Sequence, residues 1–162
     1  MAKNKYLIFM IMILVALSMS CKNEFLYEGL TIIPAEWRTD DPTHDFLMSE
    51  VGISRADWDA IKEAAGGGFQ AWAYYNNPYI AVIGKWQDRT EAQAQDVINE
   101  VAGIMGVSPA PTLPGTADAN NMKIANIPTS GSPRAQVQLA TGVAPFGLEF
   151  VPANTLIVRI YK

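Results

Sequence analysis

The chain contains a single cysteine, Cys21, and a single histidine, His44. One cysteine cannot form an internal disulfide, so a folded domain must be held together by packing alone. Zinc sites of the usual kinds need several histidine or cysteine ligands, and a catalytic triad would have to be built around His44. No Gly-x-Ser-x-Gly pattern of a nucleophile elbow occurs. The scarcity of both residue types therefore argues against most zinc-dependent and nucleophilic enzymes.

Positive charge is also scarce. Lysine and arginine together number 12 against 16 acidic residues, which gives a formal net charge of -4, and no basic run is present. Nucleic acid is therefore not expected as a partner, because phosphates need basic side chains to neutralise them. Between residues 101 and 148 the charged residues are only Asp118, Lys123 and Arg134. Such a region is either packed against neighbours in an assembly or a neutral extracellular surface, since uncharged strand edges lack protection against pairing.

A small cluster of acids surrounds His44. Asp40, Asp41 and Asp45 could offer oxygen ligands to calcium or magnesium together with it. The favoured interpretation is that these acids lie at the start of a helix and in water. We therefore expect no metal site, no cofactor and no enzymatic activity.

The first 20 residues have the three parts of an export signal. Lys3 and Lys5 precede an apolar stretch at 6–17, and small serines follow it. The stretch is about 12 residues long, whereas a spanning helix needs about 20. The two lysines stay on the cytoplasmic side under the positive-inside rule, so the rest of the chain would lie outside the cytoplasm. Residues 1–20 are predicted to be a signal peptide or a membrane anchor.

The junction at Cys21 resembles the lipobox of bacterial lipoproteins. Ser20 immediately precedes the cysteine, Leu17 lies upstream with Ser18 and Met19 between them, and the polar segment "KNE" follows. The resemblance implies cleavage before Cys21, a thioether-linked diacylglycerol, and further acylation, for example by palmitate. The protein would then be anchored in a cell-envelope membrane such as the outer membrane, facing the periplasm or the cell surface. The alternative is a retained anchor with an unmodified cysteine.

The rest of the chain divides by composition into four segments. Prolines, glycine and small residues in "VSPAPTLPGTADANN" cannot form a regular element and indicate a linker or long loop. The predicted segments are a tether at 21–42, a helix-hairpin-helix core at 43–106, the linker at 107–121 and a C-terminal β region at 122–162.

Capping signals and residue patterns predict the individual elements. Thr43 is the predicted cap of a short helix that runs to about Glu50. Ser54, with Asp57 three residues later, is the predicted cap of a helix over 55–65. Thr90 with Gln93 begins a third helix, whose apolar stripe ends at Gly106. The aromatic and β-branched stretches "FQAWAYY" and "YIAVIGKW" predict a hairpin over 69–86, and "KIANI", "AQVQLAT" and "TLIVRIY" predict three further strands.

The hairpin is rich in aromatic residues on both of its faces. Strand alternation places Trp72 and Tyr74 on one face and Tyr75 on the other. One face could be exposed as a platform for a sugar or a protein, which makes Trp72, Tyr74 and Trp86 candidate ligand-binding residues. The alternative is that helices cover one face and the C-terminal strands the other.

These observations predict an α+β fold, with two or three helices packed on a mainly antiparallel sheet and preceded by the signal or anchor helix. The C-terminal strands either extend that sheet or form a small β unit of their own. The expected function is that of a non-catalytic cell-envelope lipoprotein, held to the membrane through Cys21, whose domain binds an envelope protein or a glycan. The alternative is a membrane-anchored structural subunit of a surface assembly or of a membrane-containing virion.

Overall fold

The structure is a computed structural model that describes residues 37–67, 71–75, 79–132, 134–147 and 149–162. It confirms the α+β prediction, with helices packed on an antiparallel sheet. The elements in chain order are α1 (His44–Val51), α2 (Arg55–Ala64), β1 (Ala71–Tyr75), β2 (Ala81–Trp86), α3 (Glu91–Ile104), β3 (Met122–Ile127), β4 (Ala135–Ala140), β5 (Ala144–Phe146), β6 (Glu149–Val151) and β7 (Leu156–Tyr161).

The helices begin where the capping signals predict. The Thr43 side chain accepts a hydrogen bond from the backbone N–H of Phe46 at the start of α1. Reciprocal capping boxes, Ser54 with Asp57 and Thr90 with Gln93, begin α2 and α3. Each box satisfies two backbone donors that a helix start would otherwise leave without partners. The predicted and observed limits of these helices agree to within about two residues, as helix ends generally do.

The main sheet has five strands in the order β1-β2-β7-β4-β3, and every neighbouring pair is antiparallel. The hairpins β1–β2 and β3–β4 do not pair with each other. Strand β7, the last in the chain, lies between them and pairs with both β2 and β4. The C-terminal strands β3, β4 and β7 therefore extend the sheet of the first hairpin, which resolves the alternative that the sequence left open.

One face of the sheet is covered by the three helices. Its apolar side chains pack with those of the helices in a single hydrophobic cluster that includes Trp58, Trp86, Ile98 and Leu156, all fully buried. We call this surface of the sheet the helical face. Gly84 lies within it, and the absence of a side chain there lets the rings of Trp58 and Trp86 approach the β2 backbone.

The opposite face, which we call the helix-free face, carries the second sheet. Strands β5 and β6 form a short antiparallel hairpin whose inward side chains pack against Ile83 and Ile157 in a separate apolar cluster. The sequence prediction did not include this hairpin. Each of its strands has three residues, which is too short for a recognisable alternating pattern.

The predicted signal or anchor at 1–20, and residues 21–36 of the predicted tether, lie outside the described residues. The end of the tether is described: the backbone of Arg38 exchanges hydrogen bonds with that of Trp72 at the edge of β1. Among the helices that the structure describes, none has the length and apolar character needed to cross a membrane.

Candidate functional site

A row of polar side chains crosses the helix-free face. Asn126 on β3, Gln136 on β4 and Arg159 on β7 are register partners on neighbouring strands. Strand alternation directs all three to the same face. A helix layer would impose a large desolvation cost on this row, so its place on the helix-free side is physically reasonable.

Hydrogen bonds fix the centre of this row. The side-chain Nε2 of Gln136 donates to Oδ1 of Asn126 at 2.8 Å. Its Oε1 accepts from the hydroxyl of Tyr161 at 2.7 Å and from Nε2 of Gln138 at 3.2 Å. Because the oxygen of Gln136 is used by two donors, the orientation of its amide group is determined and one N–H remains for a further acceptor.

The row borders an open cleft of about 480 Å³ at the β2, β4 and β7 end of the sheet. A cleft of this size falls within the range of about 300–1,000 Å³ that is typical of small-ligand sites. The described part of its lining comprises Tyr79, Ser132, Gln136, Arg159, Tyr161 and Lys162, and it includes no aspartate or glutamate. We call this the Arg159 cleft.

Arg159 is the charged group of the cleft that has no acidic partner. Its guanidinium lies 4.7 Å from the centre of the Phe146 ring, and its Nε is buried without a hydrogen-bond partner among the described residues. Other shielded cations are paired: Lys85 lies 2.8 Å from Glu149, and Lys123 lies 2.6 Å from Glu91. Within the described part of the chain, no carboxylate lies within ion-pair distance of Arg159.

The second cation of the lining, Lys162, is directed elsewhere. Its Nζ donates a hydrogen bond to the backbone carbonyl of Ser49, in α1, at 3.1 Å. That contact holds the ammonium toward α1, so the positive charge offered to the cleft is mainly that of Arg159.

Two tyrosines form one wall of the cleft. The rings of Tyr79 and Tyr161 meet edge to face with centroids 5.3 Å apart, and 42% of Tyr79 is exposed. Burial raises the pKa of the Tyr161 hydroxyl, and the positive charge of Arg159, together with a hydrogen bond from its side chain, opposes part of that increase. The raised pKa keeps Tyr161 neutral at physiological pH, where it donates to Gln136.

The aromatic residues predicted to bind a ligand lie on the helical face. Trp72 is 2% exposed and Trp86 is fully buried, so neither ring has an open face for stacking. Tyr74 is half-buried and donates its hydroxyl to Oε2 of Glu50 at 2.5 Å. The helices thus cover this face, as one of the two alternatives predicted. Its residues are replaced as site candidates by those of the Arg159 cleft, and Cys21 lies outside the described residues.

One of the acids near the first helix, Asp41, takes part in ion pairs. Asp41 lies 2.7 Å from Arg55 and 2.8 Å from Lys62, and these cations lower its pKa, the hydrogen bond from Lys62 being the largest cause. Nδ1 of His44 accepts a hydrogen bond from the backbone N–H of Arg55. Among the residues with described positions, no group of three or more histidine, cysteine, aspartate or glutamate side chains is placed to hold a metal ion.

Sequence reasoning missed Arg159 and Gln136. A signal for Arg159 was present, because "LIVRIY" places one charged residue inside an otherwise apolar strand. A charge in such a strand is costly unless it serves a pair or a site. No comparable signal marks Gln136, whose importance depends on the pairing of β4 with β7.

No protein-family model matches this chain, and neither a curated protein nor a solved structure matches it. Its function is therefore inferred from its N-terminal sequence and from the geometry of the Arg159 cleft.

Proposed function

We propose that this protein is a non-catalytic lipoprotein of a cell envelope, held to the membrane through Cys21, and that its folded domain binds an envelope protein or a glycan. The binding surface is the Arg159 cleft on the helix-free face of the sheet. This location replaces the aromatic residues of the helical face, whose tryptophan rings are buried.

The observation that carries the binding function is an arginine in an open cleft that has no aspartate or glutamate partner among the described residues. Arg159 is half-buried, its Nε has no hydrogen-bond partner among the described residues, and the described lining of the cleft includes no aspartate or glutamate. A buried donor without a partner costs roughly 1–3 kcal/mol. A negatively charged ligand in the cleft would give the guanidinium the ionic partner that the described residues do not supply, which favours binding at this position.

The membrane tether is supported by the N-terminal sequence. Two lysines, a short apolar stretch and Cys21 follow one another in the order of a lipoprotein signal. Each buried methylene contributes about 0.8 kcal/mol to membrane binding, and two acyl chains suffice for stable anchoring. The domain would then be displayed outside the cytoplasm with its cleft accessible to soluble or envelope-bound ligands.

Intact mass of the protein purified from its native membrane tests the tether. The native protein is expected to lack residues 1–20 and to carry added acyl chains, whereas a Cys21→Ser variant remains full length and unmodified. An uncleaved, unmodified mass for the native protein would overturn the lipoprotein proposal and favour a retained anchor.

A structural subunit of a surface assembly or of a membrane-containing virion is the second candidate function. It is favoured by two exposed apolar side chains at the β5–β6 hairpin: Val143, which immediately precedes β5, is 65% exposed, and Phe150, in β6, is 70% exposed. Exposed apolar side chains next to each other often mark contacts between proteins.

Sedimentation velocity of the detergent-solubilised full-length protein distinguishes this second candidate. A subunit is expected to self-associate as concentration rises, and Phe150→Ser should weaken that association. Met48→Ser is the control, because Met48 is also exposed, at 47%, but lies on α1. A monomer at all concentrations would remove the structural-subunit hypothesis.

A further inference from the structure

We propose that the Arg159 cleft binds the carboxylate of an acidic sugar, such as a uronic acid residue of a glycan. The inference rests on the proposed binding function and names the chemistry of its ligand. The carboxylate would pair with the guanidinium of Arg159, while the sugar ring would lie against Tyr79 at the mouth of the cleft.

The charge of the cleft differs from that of the whole chain. The chain has a formal net charge of -4, yet the described lining of the cleft contains Arg159 and no aspartate or glutamate. The aromatic ring of Phe146 lies beside the guanidinium and shields it from water. Shielding from water strengthens an ion pair, so a negatively charged ligand gains more here than on an open surface.

A carboxylate fits this cleft better than a phosphate. A guanidinium presents its N–H donors as a planar fork, which matches the two oxygens of a carboxylate. A phosphate monoester carries about -1.5 to -2 charges at neutral pH and favours several cations or backbone N–H groups. Because Lys162 donates to Ser49, only one cation is directed to the cleft, and a single negative charge balances it.

The neighbours of Arg159 favour a sugar as the carrier of that carboxylate. Tyr79 is the exposed aromatic ring of the wall, and Tyr161 holds it edge to face. An aromatic face suits the apolar C–H face of a pyranose ring. Gln136 and Ser132 add an amide and a hydroxyl to the lining, which are suitable partners for sugar hydroxyls.

Calorimetric titration of the full-length protein in detergent tests this inference. The probes are digalacturonate, the neutral disaccharide galactobiose, and an acetylated tripeptide with a free C-terminal carboxylate. Digalacturonate is expected to bind with a Kd on the order of 1 mM or tighter, as befits one ion pair and one ring contact. Galactobiose and the peptide should bind at least tenfold more weakly.

Three variants locate the binding. Arg159→Met, which keeps an apolar stem beside Phe146, should reduce affinity for digalacturonate at least tenfold. Arg159→Lys should give a smaller loss because it keeps the charge but not the fork, and Tyr79→Ala should reduce affinity severalfold. The control is Arg38→Gln, since Arg38 is an exposed arginine that stacks on Trp72 at the β1 edge. The affinity of the Arg38→Gln variant for digalacturonate should match that of the unmodified protein.

Equal binding of galactobiose, or unchanged affinity in Arg159→Met, would overturn the carboxylate inference while leaving a sugar-binding function in place. If only the peptide binds, and its binding depends on Arg159, the proposal that the ligand is a sugar would be overturned. Failure of all three probes would overturn the inference as a whole. Should Arg159→Met not fold, Tyr79→Ala and Arg159→Lys decide the question, because both are milder changes. The proposed membrane tether is tested separately, by the intact mass of the native protein.

Discussion

Gly84 provides the sharpest test of the packing on the helical face. A Cβ built at this position would lie 2.5 Å from Cη2 and 2.7 Å from Cζ3 of Trp86, and 3.1 Å from Cη2 of Trp58. Both indoles are fully buried, with ring centroids 6.5 Å apart. Neither ring has free space into which it can move, so Gly84→Ala forces a shift of the β2 backbone or of the core.

Gly84→Ala is expected to destabilise the protein, whereas a change from glycine to alanine inside a strand usually stabilises it. Replacing glycine by alanine inside a strand ordinarily stabilises by roughly 0.5–1 kcal/mol, because glycine loses more conformational freedom on folding. An added methyl group in a well-packed core costs about 1–3 kcal/mol. The net expectation for Gly84→Ala is a loss of about 1–2 kcal/mol in the free energy of unfolding.

Urea denaturation of protein produced from Lys22 onward, followed by tryptophan fluorescence and circular dichroism, measures this loss. With a slope of about 2 kcal/mol per molar urea, the midpoint should fall by about 0.5–1 M. Gly103→Ala is the matched control, since nothing lies within 4 Å of a Cβ there and the residue is exposed in α3. This variant should gain up to about 1 kcal/mol. A Gly84→Ala protein as stable as the original, beside a stabilised Gly103→Ala, would refute the contact between the two indoles and β2.

Two further predictions concern ion pairing and helix capping. The pKa of Asp41 is lowered in the folded state by Lys62 and Arg55, so its stabilising contribution is present above the unfolded value of 3.8 and is lost as pH falls through the folded-state pKa. Asp41→Asn should therefore cost about 0.5–1 kcal/mol at neutral pH and progressively less as pH falls below 3.8, and a cost that does not change with pH would contradict the pairing. Thr90→Ala removes the cap of α3 and should lower the free energy of unfolding by about 1 kcal/mol, whereas Thr90→Ser should retain it. Equal thermal stability of the alanine and serine variants would show that the cap contributes nothing.

The helices could be predicted from the sequence because their signals are local. The hydroxyl of Ser54 and the carboxylate of Asp57 are three residues apart, and the bonds that they make are complete within one helical turn. The five strands of the main sheet were also recognisable, since "AWAYY" and "LIVRIY" are rich in aromatic and β-branched residues.

The site could not be predicted in the same way, because it is built from distant segments. Gln136 and Arg159 become neighbours only through the pairing of β4 with β7, and Tyr79 joins them from the loop before β2. The aromatic side chains of the β1–β2 hairpin gave a misleading indication: Trp72 and Trp86 pack as core residues beneath the three helices, which strand alternation alone does not reveal. The short β5–β6 hairpin lacked the length needed for a pattern.

The central position of β7 governs the order in which this sheet can form. A ribosome delivers the chain from its N-terminus, so both local hairpins are available before the strand that joins them. Until Leu156–Tyr161 arrives, β2 and β4 each present an unpaired edge to the surroundings. A chaperone that holds the incomplete chain during this interval would protect two edges at once. Any stop codon shortly before Leu156 would release two separate hairpins, each exposing apolar surface.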